Sequence, residues 1–146
     1  MNYKLGNSIQ SDVLFGTSHG EIATYCSGKL FVLNDQAHKG SVNCIKISDR
    51  LSSSVTIITG GEDGFVRIWD TSMNLMQAID IRKCSDKVLK DLKNPRCYGV
   101  QSIEMYCCDR RSPRKLLIGL RCGEILEATA TDKDIRAELD IQKKLG

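Results

Sequence analysis

Four residues carry groups that could act together: His38, Thr59, Asp63 and Trp69. They supply an imidazole, a hydroxyl, a carboxylate and an indole N–H. An imidazole beside a carboxylate is half of a nucleophilic triad, but a triad is defined by assembled geometry and no nucleophile is marked in this sequence. The other reading is a structural tetrad, in which each buried polar group is covered by a hydrogen-bond partner.

Other chemistries leave little trace. There are seven cysteines, at 26, 44, 84, 97, 107, 108 and 122, with no C-x-x-C pair, and two histidines, His19 and His38. An odd count without ligand spacing argues against a zinc site. Most of the cysteines fall in strand-like runs and read as small buried hydrophobes in a reducing compartment. Cys107-Cys108 invites a redox reading, but nothing nearby marks a low-pKa thiolate. No phosphate loop, nucleophile elbow, paired metal ligands or carboxylate dyad is legible. The expectation is a protein without catalysis, metal or cofactor. A second group of interest is basic: Arg110, Arg111, Arg114 and Lys115 share one loop-like run and form a candidate partner-binding cluster, a solvated loop being the bland alternative.

The elements that must position the tetrad lie in residues 37–70. Residues 41–48, 55–60 and 65–69 have strand character, rich in β-branched and aromatic side chains. Asp63-Gly64 between the last two is a hairpin signal, because both residues tolerate positive φ. The pattern repeats. Residues 15–22, 59–66 and 118–125 align without gaps, each with a glycine where one strand ends, a second glycine in the hairpin, and Ile or Val where the next strand resumes. Gly16 to Gly60 is 44 positions and Gly60 to Gly119 is 59, so an insertion separates the second and third units. From Tyr25 to Val42 is 17 positions and from Trp69 to Val100 is 31, which places the insertion at 83–99. A helical turn over 86–92 would stop at Asn94-Pro95.

The flanking units lack the tetrad. Where the middle one has Thr59, Asp63 and Trp69, the first has Phe15, His19 and Tyr25, and the third has Ile118, Cys122 and Ala128. The outer units are expected to rely on apolar packing. In the tail, Ile135, Ala137, Leu139 and Ile141 alternate with Arg136, Glu138, Asp140 and Gln142. That period of two and the repeat logic favour a fourth strand over a helix capped by Asp132.

Composition is that of one globular domain. The chain has 146 residues, 41% hydrophobic and 27% charged. Aromatics at 5% and a net charge of +3 argue against nucleic-acid binding. No stretch approaches the roughly 20 apolar residues of a membrane span. Residues 1–12 contain no apolar signal-peptide core, so an intracellular protein with no membrane partner is expected.

Residues 37–70 resemble one WD repeat, the unit of a β-propeller blade. The resemblance implies that His38, Thr59, Asp63 and Trp69 form a hydrogen-bonded chain, in which Asp63 accepts from His38, His38 contacts Thr59, and Thr59 accepts from the Trp69 indole N–H. It also implies an all-β fragment of about three blades: a partial first blade at 1–34, a complete repeat at 35–82, the insertion at 83–99, and a third blade with tail at 100–146. The order FGTSHGEI, AHKGSV, IITGGEDGFVRIWD, LLIGLRCGEILEAT is similar to the echinoderm microtubule-associated protein-like family. The resemblance runs from about Leu14 to Ala128. It implies a microtubule-associated, non-catalytic scaffold that binds tubulin or other proteins at the cytoskeleton, a cilium included. The alternative is a generic WD-repeat adaptor in a signalling or ubiquitin-ligase assembly. Three blades cannot close a ring of four to eight, so the chain is expected to be a fragment, a truncated gene model or a piece completed by another chain, with further blades coming from the full-length chain. In such a fold, 83–99 shares a face with the hairpins at His19-Gly20 and Asp63-Gly64, while 49–54 and 109–115 lie on the opposite face.

Overall fold

The computed structural model describes residues 13–48, 55–83, 95–106, 115–133 and 136–145, those beyond 129 as backbone. It is an all-β, propeller-like arrangement of three antiparallel sheets. The first sheet holds β1 (Val13–Gly16), β2 (Ile22–Cys26) and β3 (Lys29–Asn34). The second holds β4 (Val42–Ser48), β5 (Thr56–Gly61), β6 (Phe65–Trp69) and β7 (Leu75–Asp80). The third holds β8 (Val100–Tyr106), β9 (Lys115–Leu120), β10 (Ile125–Lys133) and β11 (Arg136–Leu145). Within each sheet, sequence neighbours are spatial neighbours. The tail is a strand, β11, paired to β10 with Thr129 opposite Asp140. No helix among the described residues is long and apolar enough to cross a membrane.

The gapless alignment of the three units is also an alignment of strand register. Gly16 sits opposite Ile22, Gly60 opposite Val66 and Gly119 opposite Ile125. The hairpins share their turn chemistry too. Gly20, Gly64 and Gly123 each take positive φ, at 88°, 76° and 89°. Each amide donates to the carbonyl three residues back, on Thr17, Gly61 and Leu120. A side chain would strain that conformation, so glycine recurs there.

Sheets pack face to face through two clusters. Ile22 of the first sheet meets Ile57, Trp69 and Val42 of the second, with Ala37 from the crossover. On the other side of the second sheet, Ile58, Val66, Ile68 and Ile79 meet Val100, Leu116, Ile118 and Leu126 of the third. Every residue of β5 is buried, because the strand is covered on both faces. That explains why its β-branched and glycine residues show no alternation of apolar with charged side chains. The inner strands interlock with glycines. A Cβ on Gly16 would collide with the Val42 side chain, and one on Gly60 with Val100.

Candidate functional site: a buried tetrad and the hairpin face

The structure brings His38, Thr59, Asp63 and Trp69 into one chain. Trp69 Nε1 donates to Thr59 Oγ1 at 3.0 Å, Thr59 Oγ1 lies 2.7 Å from His38 Nε2, and His38 Nδ1 lies 2.9 Å from Asp63 Oδ1. An indole nitrogen can only donate, so the Thr59 oxygen accepts there. A carboxylate can only accept, so on the Asp63 bond His38 Nδ1 is the donor, and Arg67 Nη1 approaches the same nitrogen at 2.9 Å. Thr59 is fully buried, and its hydroxyl is used twice within the chain.

β5, β6 and the crossover each supply part of this. Thr59 on β5 and Trp69 on β6 share a sheet face because Ile57 pairs with Trp69 and Thr59 with Arg67. Asp63 sits in the hairpin, where Oδ1 also accepts from the Phe65 amide at 3.2 Å. His38 is fixed on the crossover by its own amide, which donates to Gly20 O of the preceding sheet. The tetrad therefore ties the crossover leaving the first sheet to the hairpin of the second.

Two further groups close on Asp63. The Lys39 amide donates to Oδ2 at 3.0 Å, and Arg67 Nη1 does so at 2.9 Å. The Arg67 guanidinium lies over the Phe65 ring, 4.3 Å from its centroid. Burial disfavours the carboxylate, but the bonds from His38, Lys39 and Arg67 outweigh it and hold Asp63 well below the usual carboxylate range. Among the described residues, every buried side-chain nitrogen or oxygen has a hydrogen-bond partner.

The flanking sheets replace the tetrad in different ways. In the third, Ile118 and Ala128 are buried apolar residues at the places of Thr59 and Trp69. In the first, His19 is exposed, within 3.5 Å of Ser18 Oγ, and Tyr25 is half exposed. Apolar packing was expected of the outer units, and the third has it at the tetrad's places, while its other face adds a polar pair. Glu127 is buried there, with Lys115 Nζ at 3.1 Å and the Tyr106 hydroxyl at 3.5 Å. Lys115 opens β9, and its ammonium belongs to this pair, not to a solvated basic loop. Its hydrogen bond to Glu127 raises the Lys115 pKa. Arg110, Arg111 and Arg114 lie outside the described residues, as do 49–54, 84–94, Cys107 and Cys108.

The hairpins and crossovers share one face. The Ile81 amide and the Arg82 side chain donate to Gly64 O and Asp63 O. Pro95–Tyr98, a 3₁₀ turn, brings Tyr98 against Gly64. A bridge between the second and third sheets also lies here. Asn43 Nδ2 donates to Glu62 Oε2 at 3.0 Å and to Val100 O at 2.9 Å, and Arg121 pairs with Glu62. Sequence reasoning did not single out these residues. Their signal was the repeat itself, since Glu62 and Arg121 occupy the same place in adjacent hairpins.

The cysteines also depart from expectation. Cys26, Cys44 and Cys97 are half-buried, and Cys122 is exposed because it sits at a hairpin tip. Burial pushes the Cys44 thiol up to about 11, against thiolate chemistry. No group of three potential metal ligands occurs among the described residues. Neither a scan against protein-family models nor a comparison with curated proteins gives a match.

Proposed function

We propose that the chain is a non-catalytic protein-interaction scaffold of the WD-repeat kind, with its binding surface on loops held by stacked sheets. One observation carries this reading. The polar side chains with chemical potential, His38, Thr59 and Asp63, are buried and bonded to one another, while the hairpins and crossovers gather on one face. Loops on a rigid scaffold are where binding residues concentrate. The sequence resemblance makes tubulin the first partner to test, at microtubules.

The generic adaptor reading is favoured by one finding. Lys115 is paired with Glu127, which removes one charge from the cluster expected to meet tubulin's acidic surface. Co-sedimentation with microtubules across a salt series separates the two. The microtubule reading expects pelleting that weakens as salt rises. Absence of pelleting at low salt, with strand-type circular dichroism retained, leaves the adaptor reading, to be tested by capture of folded partners on the hairpin face.

A further inference from the structure

Basic side chains from separate chain segments ring the hairpin of the second sheet. Lys39 comes from the crossover, where its amide donates to Asp63 Oδ2 at 3.0 Å. Arg82 follows β7, and its Nη2 donates to Asp63 O at 3.1 Å. The Ile81 amide holds that segment to Gly64 O at 3.0 Å, and Lys83 comes next in the chain. Arg96 belongs to the 3₁₀ turn Pro95–Tyr98, whose Tyr98 lies against Gly64. Arg121 reaches across from the third hairpin to pair with Glu62. These contacts fix the ring around residues 62–64.

Charge on this face is sorted by depth. Lys39, Arg82, Lys83, Arg96 and Arg121 are exposed. The acidic side chains among them, Glu62, Asp63 and Asp80, are half-buried and spent inside the fold. Glu62 accepts from Asn43 and Arg121, and Asp63 from His38, Arg67 and the Lys39 amide. Asp80 accepts from the Arg82 amide. Among the described residues at this end, the one exposed acid is Asp35, beyond the outer strand of the first sheet. The opposite end shows no such sorting. Among its described side chains, Lys46 pairs with Glu104 and Lys115 with Glu127, and the remaining lysine, Lys29, is matched in number by Asp70.

We propose that the hairpin face around residues 62–64 takes an acidic peptide segment, whose carboxylates meet Lys39, Arg82, Lys83 and Arg96. This rests on the reading of that face as the binding surface and adds the class of ligand. Cations spread round a hairpin suit an extended chain of carboxylates rather than one small anion. Their complementarity sets which partner docks and how fast it arrives. A nucleic acid fits less well, because single strands are held by aromatic stacking, and the exposed tyrosines among the described residues, Tyr25 and Tyr106, lie at the other end.

Fluorescence anisotropy of a labelled deca-glutamate peptide with the full chain tests this. The peptide should bind at low salt and weaken as salt rises, and a deca-glutamine peptide should not bind. Lys39→Gln with Arg96→Gln removes two exposed charges and should weaken binding about two- to thirtyfold. Lys29→Glu makes the same change in net charge at the opposite end and should leave binding within about twofold. Circular dichroism checks that both variants keep their strand content. Equal weakening by the two variants overturns the proposal, since attraction would then belong to the whole chain. So does a ten-nucleotide single strand that binds more tightly than the peptide and through the same two residues. A wild-type chain that ignores deca-glutamate at low salt overturns the acidic ligand, while the hairpin face itself is still decided by co-sedimentation with microtubules, a different probe.

Discussion

The second and third sheets hold the same place in the repeat and fill it with opposite chemistry. At one place the second has a threonine hydroxyl and an indole N–H, joined to His38 and Asp63, and the third has Ile118 and Ala128. Both positions are buried. Polarity is therefore not what closes a sheet-to-sheet contact. It adds direction. An apolar face holds a neighbour at many small displacements, whereas the tetrad holds the crossover at His38 to one hairpin at Asp63. On its other face the third sheet places the Lys115–Glu127 pair, where the second has Ile68 at the position of Glu127. A polar group is tolerated on either face provided its partner comes with it.

The comparison is broken most severely at Trp69. Trp69→Ala removes a large buried side chain and leaves the Thr59 oxygen without its donor, so we expect a loss of about 3–5 kcal/mol in urea melts. Tyr25→Ala, at the equivalent place but half exposed, should cost about 1 kcal/mol or less. Equal losses at the two positions would contradict the equivalence on which the comparison rests.

Asp63 gives the next effect, through pH. Asp63→Asn should destabilise by about 1–3 kcal/mol at neutral pH, because His38, Lys39 and Arg67 lose a charged acceptor. The folded carboxyl titrates below its unfolded value of about 3.9. Its contribution is then fully present above about pH 4 and is lost as pH falls toward the folded value. The stability gap between wild type and Asp63→Asn should be constant from pH 7 to 5 and should close on acidification. A gap that widens in acid would reverse the assignment.

The third sheet sharpens the contrast. Lys115→Met leaves Glu127 buried with only the Tyr106 hydroxyl, so the urea midpoint should fall. Replacing both, Lys115→Met with Glu127→Leu, should recover most of that loss, since the buried carboxylate is then removed together with its partner. A double variant no better than the single would mean that the pair itself holds the register of β9 and β10.

Which of these features the sequence discloses follows from how local their signals are. The tetrad was legible because four distinct residue types stand once, in the middle unit, at the spacings the resemblance implies around a glycine-marked hairpin. The strand registers were legible because the same glycines mark all three units. Glu127 was not, because a glutamate in an alternating strand reads as facing solvent, and only the Lys115 partner reveals otherwise. Lys115 itself was misplaced because Ser112-Pro113-Arg114-Lys115 reads as one loop, while pairing with Thr129 draws its last residue into β9. Cys122 reads as buried by residue type and is exposed by position, at a hairpin tip that no neighbour covers. The bridge through Asn43 joins residues 57 positions apart, a contact no local pattern contains.

That bridge supplies the smallest effect and the finest test. The Arg121–Glu62 pair crosses from the hairpin of the third sheet to that of the second, with Arg121 about half exposed. Exposed pairs contribute about 0.2–1 kcal/mol and are screened by salt. Arg121→Ala should therefore cost that much in low salt and almost nothing in 1 M salt. Asn43→Ala should behave differently, because its bond to Val100 O is a neutral contact between sheets and is largely insensitive to salt. The two variants separate charge from hydrogen bonding at one junction. If Arg121→Ala costs the same at both salt concentrations, the arginine acts by packing its stem over the junction, and this bridge, like the apolar face beside it, closes the contact without polarity.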